Sequence, residues 1–168
     1  LPRQLRDAFW TGSITKACAA TMFMAHTAGE LAEYAFANAL IQDIGLPMLA
    51  HVDPDWYATQ LIPGATAATW STAERERFGI DHAQVGALLL KQWQSPAELC
   101  QHVRHHHQPL GQFQHGEEQA LQDIAAFLAG LIPHAWEMSQ SWQSNWIGAI
   151  HARFLTDRYP TPDAFLDA

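Results

Sequence analysis

Between Ser71 and Glu98 the chain signals the start of a helix three times. Ser71 precedes Glu74, Asp81 precedes Gln84, and Ser95 precedes Glu98, with Pro96 directly after Ser95. In each pair a short polar side chain can accept from the free N–H groups of an opening turn, while the later side chain reaches back. Proline suits the first helical position because its missing N–H would have no partner there. Helices packed this densely along a sequence bury their apolar faces against one another. The remaining pattern agrees. Residues 9–28 are apolar on most sides through Ile14, Cys18, Met22, Phe23 and Met24, which predicts a central helix. Residues 30–43 predict a second helix, with Gly45 as its stop and Pro47 preventing continuation. Residues 51–70 read as irregular, with a turn or two of helix after Pro54. Further helices are expected over 117–131 and 139–155, after a loop at 111–116. With no strand pattern, the expected fold is all-α, one domain across residues 1–168.

Composition narrows the function classes. The 168 residues are 48% hydrophobic and 15% charged, which suits a packed domain. A net charge of −8 and the lack of any Lys/Arg-rich run argue against nucleic acid as a partner. No apolar run is long enough for a membrane span and no leader pattern is visible, so a soluble, cytoplasmic protein is expected. Cys18 and Cys100 lie in apolar helical patterns outside any C-x-x-C pair, and read as buried free thiols. Nucleotide-binding P-loops, serine-hydrolase elbows, H-E-x-x-H and zinc-ribbon cysteines are missing from the sequence.

The concentrated chemistry is HVRHHHQP, residues 102–109. Helical spacing puts i, i+3 and i+4 on one face. Continuing the stripe of Leu99, Cys100 and Val103 reaches His106 and His107, and leaves His102 and His105 on the polar side with Glu98 and Gln101. In the preceding helix His82 shares a stripe with Val85, Gly86, Leu89 and Trp93. In the second helix Ala32, Phe36 and Ala39 lead to Asp43, at a C-terminal end where the helix dipole disfavours an acid, so a compensating histidine, backbone N–H or metal is expected. Asp43, His82, His106 and His107 can thus converge. Such a set suits zinc, iron or manganese, and suits equally a buried hydrogen-bonded cluster.

These residues carry a family resemblance. ERFGIDHAQVGALLLKQW followed by SPAELCQHVRHHHQP is similar to the signature half of the HDOD, or HD-related output, domain. The matching positions are Asp81-His82-Ala83, Val85-Gly86-Ala87, Leu89, Trp93, Pro96, Val103, His106-His107 and Pro109. AFANALIQDIG (35–45) resembles the family helix that ends in His-Asp-Ile-Gly, and FWTGSITKA (9–17) its opening helix. The resemblance covers about residues 9–129, leaving 130–168 as a C-terminal helical extension and the family's N-terminal lobe without a counterpart. It implies an HD-type helical bundle, distantly related to HD and HD-GYP phosphohydrolases. It also implies a bacterial regulatory role without a catalytic metal.

The departures from a hydrolase point the same way. Gln42 stands where the HD pair has histidine, Gly12 where relatives often carry histidine, and no acid follows Asp123 in the late helix. A bound metal lowers the pKa of its water and polarises a phosphoryl group, and both effects need a filled set of ligands. The expectation is therefore a non-catalytic signalling domain acting through protein partners, with Gln42, Asp43, His82, His106 and His107 as a degenerate HD cluster. No cofactor is expected. The alternative is a metal-dependent phosphohydrolase acting on nucleotides, with Asp43, His82, His106 and His107 as ligands. A candidate partner interface is the face of Met138, Trp142 and Trp146, since aromatic anchors suit interfaces.

Overall fold

The computed structural model describes residues 3–27, 29–60 and 67–107, all within one compact unit, Leu1–Glu137. Every regular element among them is helical. The order is α1 (Arg3–Thr27), a 3₁₀ turn (Gly29–Leu31), α2 (Ala32–Ile41), α3 (Gly45–Val52), α4 (Pro54–Gln60), α5 (Ala67–Phe78), α6 (His82–Gln92) and α7 (Ala97–His105). The all-α architecture expected from the sequence is the one observed. The expected helices at 117–131 and 139–155, and the face of Met138, Trp142 and Trp146, lie outside the described residues.

Helix α1 packs on α2, α3 on α6, and α6 on α7. One face of α1 is buried through Leu5, Phe9, Ser13, Lys16, Ala17, Ala20, Phe23 and Met24. The expectation that α1 is surrounded on most sides is not met. Trp10, Ile14 and Met22 are half or more exposed, and Cys18, one helical turn from Ile14 and Met22, is exposed too. Positions four apart form a second apolar stripe, so the sequence looks apolar all round while the packing uses one side. Both cysteines are free, but neither is buried: Cys100 is half-buried.

A compact aromatic core joins α3, α4 and α5. Leu46, Leu49, Ala50, Tyr57 and Trp70 are buried together with Leu5, and Trp56 and Phe78 pack against them. Tyr57 meets Trp56 and Trp70 edge-on and stacks on Phe78. The turn or two of helix expected after Pro54 is α4, seven residues long, while the irregular reading of 51–70 fails at its ends, where α3 runs on to Val52 and α5 begins at Ala67. Asp53 caps α4 by accepting from the Trp56 N–H at 3.0 Å, and Pro54 sits at its first position.

Three helix boundaries differ from the sequence reading. Ser71 does not open α5, which begins at Ala67; Ser71 and Glu74 are both buried inside the helix. Ser95 does not cap α7, whose N-cap is Pro96 with no side-chain hydrogen bond. Gly45 does not end a helix but begins α3, and Pro47 is tolerated there because the first turn has N–H groups without helical partners. The Asp81–Gln84 capping box forms in full: Gln84 N–H donates to Asp81 Oδ1 at 2.9 Å and Asp81 N–H to Gln84 Oε1 at 3.1 Å.

Candidate functional site

Two glycines and a turn bring the site together. Helix α2 stops at Ile41, and Gln42, Asp43 and Ile44 form a tight turn into α3. Asp43 therefore stands at the C-terminal end of α2 and also just ahead of α3, where an acid is favoured. Gly45 then touches α6 backbone to backbone. A Cβ on Gly45 would lie 2.0 Å from the His82 carbonyl oxygen and 2.6 Å from the Gly86 nitrogen. On α6, a Cβ on Gly86 would meet Val103 of α7 at 2.9 Å and Ile44 at 3.1 Å. This contact sets Asp43 against His82. From the other side Gly79, at φ +74°, ends α5, its N–H donating to the Arg75 carbonyl, and the chain turns directly into α6. That turn places Glu74 under His82. Arg75 pairs with Asp81 and Arg77 with Asp53, so both arginines near the signature serve the fold.

Asp43, His82 and His106 are buried and His107 half-buried, and one donor atom of each lies within 4.8 Å of the others. The four residues singled out from sequence do converge. His82 is held on two sides. Its backbone N–H donates to Glu74 Oε2 at 2.7 Å and its Nδ1–H to the same oxygen at 2.6 Å. Glu74 Oε1 accepts from the Tyr57 hydroxyl at 2.6 Å. With Nδ1 fixed, His82 Nε2 faces His107 Nε2 at 2.7 Å and Asp43 Oδ1 at 3.5 Å. His106 is anchored the same way: its Nδ1–H donates to the Val103 carbonyl at 2.7 Å, and Nε2 faces Asp43 Oδ1 at 3.3 Å. The charge facing Asp43 comes from a group outside those expected, Lys16 of α1, whose Nζ lies 2.7 Å from Asp43 Oδ2 with both side chains buried.

Burial alone pushes the His82 imidazole down, but hydrogen bonds and charge from Asp43 and Glu74 outweigh it and bring its pKa up to about 9. His107 is driven the other way, by burial first and then by the neighbouring histidines, well below its ordinary value. Protonated His82 can therefore donate Nε2–H to neutral His107 Nε2. Two cations, Lys16 and His82, then face two carboxylates, Asp43 and Glu74, and the buried charges balance. His102 sits apart, buried, with burial and the nearby His106 lowering its pKa to about 3. Neither of its ring nitrogens has a hydrogen-bond partner among the described residues.

These shifts fix a pH dependence. A histidine raised to about 9 contributes stability fully present below its unfolded pKa near 6.5, and lost as pH rises to 9. His102 and His107, lowered, contribute stability present above about 6.5 and lost as pH falls. Stability is expected to peak near pH 6.5 and fall on both sides, by up to ~1.4 kcal/mol per pH unit for each group titrating. Urea unfolding between pH 4 and 9.5 checks it; a flat profile from 6.5 to 9 refutes the assignment of charge to His82.

Several residues fall elsewhere than their sequence pattern suggested. His102 is buried and His105 half-buried, not solvent-facing, because the buried face at the end of α7 is His102, Val103 and His106, with Leu99 half-buried beside them. Trp93, expected inward, is 60% exposed because it lies past the end of α6, whose buried face is His82, Ala83, Gly86, Ala87 and Leu90. Phe36 is exposed, and Ala35 with Ala39 forms the buried face of α2. Gln42 is fully buried beside Asp43, and its amide has no partner among the described residues. Gly12 is buried on α1, one residue ahead of buried Ser13.

Two site residues escaped the sequence reading. Lys16 is the one Asp, Glu, Lys or Arg in the stretch 8–29, and it lies on the stripe of Phe9, Ser13 and Ala20. Glu74 shares a stripe with Trp70 and Phe78. In both cases a charge inside an apolar stripe was the available signal.

The family model of the HDOD domain matches residues 3–109. The chain belongs to the HDOD family. No curated protein and no solved structure matches it. No helix among the described residues is long and apolar enough to cross a membrane.

The HD-type relationship of HDOD domains raises a metal ion, and the side chains as they stand do not fit one. The Asp43 carboxylate is already engaged by an ammonium, and Gln42 offers a neutral amide where imidazole is needed. At about 4 Å and an effective dielectric of 20, an ammonium repels each unit of ion charge by about 4 kcal/mol.

Proposed function

We propose that this HDOD domain is a non-catalytic regulatory module of bacterial signalling, cytoplasmic, acting through protein partners. The observation that carries the reading is the buried Lys16–Asp43 pair, at 2.7 Å. It engages the acid that a hydrolase would give to its metal, and ties α1 to the α2–α3 turn. The histidine cluster then serves as a polar keystone. Glu74 locks α5 to α6 through His82, and His106 and His107 lock the end of α7 to the α2–α3 turn and to α6. A role in partner binding is supported by the second apolar stripe of α1, where Trp10, Ile14 and Met22 are exposed.

Two experiments test this. Purified protein with magnesium, manganese or iron should hydrolyse neither a generic phosphodiester nor nucleotides above the buffer rate. Turnover lost in an Asp43→Asn variant would sink the non-catalytic reading. Ile14→Glu should leave stability within about 0.5 kcal/mol of wild type, while binding of a signalling partner falls at least tenfold. Unchanged partner affinity would remove α1 from the interface.

The second reading, a metal-dependent phosphohydrolase, draws on the same convergence of Asp43, His82, His106 and His107 within 4.8 Å. The hydrolysis assay decides between the two.

A further inference from the structure

Three features of the cluster belong to a metal centre. Asp43 Oδ1 lies 3.5 Å from His82 Nε2 and 3.3 Å from His106 Nε2. Zinc bonds of about 2.0–2.1 Å in a tetrahedron set neighbouring ligand atoms roughly 3.3 Å apart. Both imidazoles are fixed through Nδ1, one by a carboxylate and one by a backbone carbonyl, as metal-bound histidines usually are. His106 Nε2 is buried and has no hydrogen-bond partner among the described residues, although it faces the cluster. His107 Nε2, at 2.7 Å from His82 Nε2, is closer than two ligands of one ion stand, so it falls outside the set. One feature opposes all three: the Lys16 Nζ on Asp43 Oδ2, brought in from α1 rather than from the helices that carry the histidines.

We propose that the Lys16 ammonium is the resident cation of this domain, standing in for the charge of a metal ion against Asp43, and that removing it turns Asp43, His82 and His106 into a site for a zinc-class divalent ion. The inference rests on the non-catalytic reading of the native cluster. It adds that the Lys16 ammonium, more than the missing imidazole at Gln42, opposes a metal at Asp43, His82 and His106. A primary alkylammonium supplies one positive charge and three N–H donors, and it has no open position for a water or a phosphoryl oxygen. It satisfies the acid without creating a Lewis acid. An internal cation also binds at no cost in metal supply, so the fold holds together whatever metal the cell provides.

Zinc titration of wild type, Lys16→Met and Lys16→Gln, followed by calorimetry and by the shift in melting temperature, tests it. Methionine keeps the length of the side chain and discards its charge. The expected result is one zinc per chain in the Lys16 variants, at least about 100-fold tighter than in wild type. Zinc should raise the melting temperature of the variants and not of wild type. Cobalt in the same variants should give the visible absorption of a tetrahedral site, lost when Asp43→Asn is added. Zinc binding by wild type as tight as by the variants, lost in Asp43→Asn, overturns the proposal. So do folded variants that bind no better than wild type. Should neither variant fold, the wild-type titration still decides, since site-specific zinc there is incompatible with a resident ammonium. The outcomes separate from those of the functional reading: variants that bind no zinc leave a non-catalytic domain intact, whereas hydrolysis by wild type removes that reading.

Discussion

Replacing Asp43 by alanine is expected to destabilise the fold by about 3–5 kcal/mol, a large share of the ~5–15 kcal/mol that holds a domain of this kind. The reason is what the substitution leaves behind. Lys16 is fully buried and loses the carboxylate 2.7 Å from its Nζ. His82 and His106 lose the same neighbour, and the charge balance of two cations against two carboxylates is broken. A buried charge stripped of its partner costs far more than the pair was worth, because its desolvation remains while its attraction is gone. The asymmetry yields a sharper test. The double variant Lys16→Met, Asp43→Leu removes both charges together and should recover at least about half of the loss. Urea unfolding of wild type, both single variants and the double variant reads the coupling directly. If Asp43→Ala cost under about 1 kcal/mol, the cluster would not be a structural keystone.

The ligand-type residues were legible in the sequence for a physical reason. His82, His106 and Asp43 are polar groups placed on apolar helical stripes, and the capping box at Asp81 fixed the phase of α6. The partners that decide their chemistry were less visible. Lys16 is 27 residues from Asp43 along the chain and meets it only through the packing of α1 against α2. Glu74 was hidden by a local pattern: Ser71-x-x-Glu74 has the form of a capping box, yet tertiary contacts to Tyr57 and His82 claim its carboxylate. A side chain can satisfy one pattern in sequence and another in space, and burial decides between them.

Faces were harder to assign than elements. On α7 His102 falls next to His106 and Leu99 on the helical wheel, so widening the buried face slightly takes it in while His106 and His107 keep their places in the cluster. Apolar count could not settle it, since histidine fits either side. On α1 two apolar stripes exist, and sequence periodicity does not say which one the rest of the molecule will cover. At Gly45 a helix-stop signature and a close-approach role look alike in one dimension. Glycine is favoured after a helix and also wherever two backbones touch, and Pro47 fits both a stop and a first turn.

That contact predicts the second large effect. Gly45→Ala is expected to cost about 4 kcal/mol, at or beyond the upper end of ordinary overpacking. Alanine in a helix is normally favoured over glycine by about 1 kcal/mol, so the sign itself is informative. The added Cβ would stand 2.0 Å from the His82 oxygen, 2.6 Å from the Gly86 nitrogen and 2.9 Å from the His82 carbonyl carbon. All three are backbone atoms of α6, and no rotamer change can relieve them. Helices α3 and α6 would have to part, drawing Asp43 away from His82 and loosening Ile44 and Val103 around Gly86. Gly29→Ala is the control, because nothing lies within 4 Å of a Cβ there. It should shift stability by no more than about 0.5 kcal/mol. Thermal and urea unfolding of the two variants measure the contrast. A Gly45→Ala protein as stable as wild type would mean that α3 and α6 do not meet backbone to backbone, and the geometry placing Asp43 beside His82 would fall with that contact.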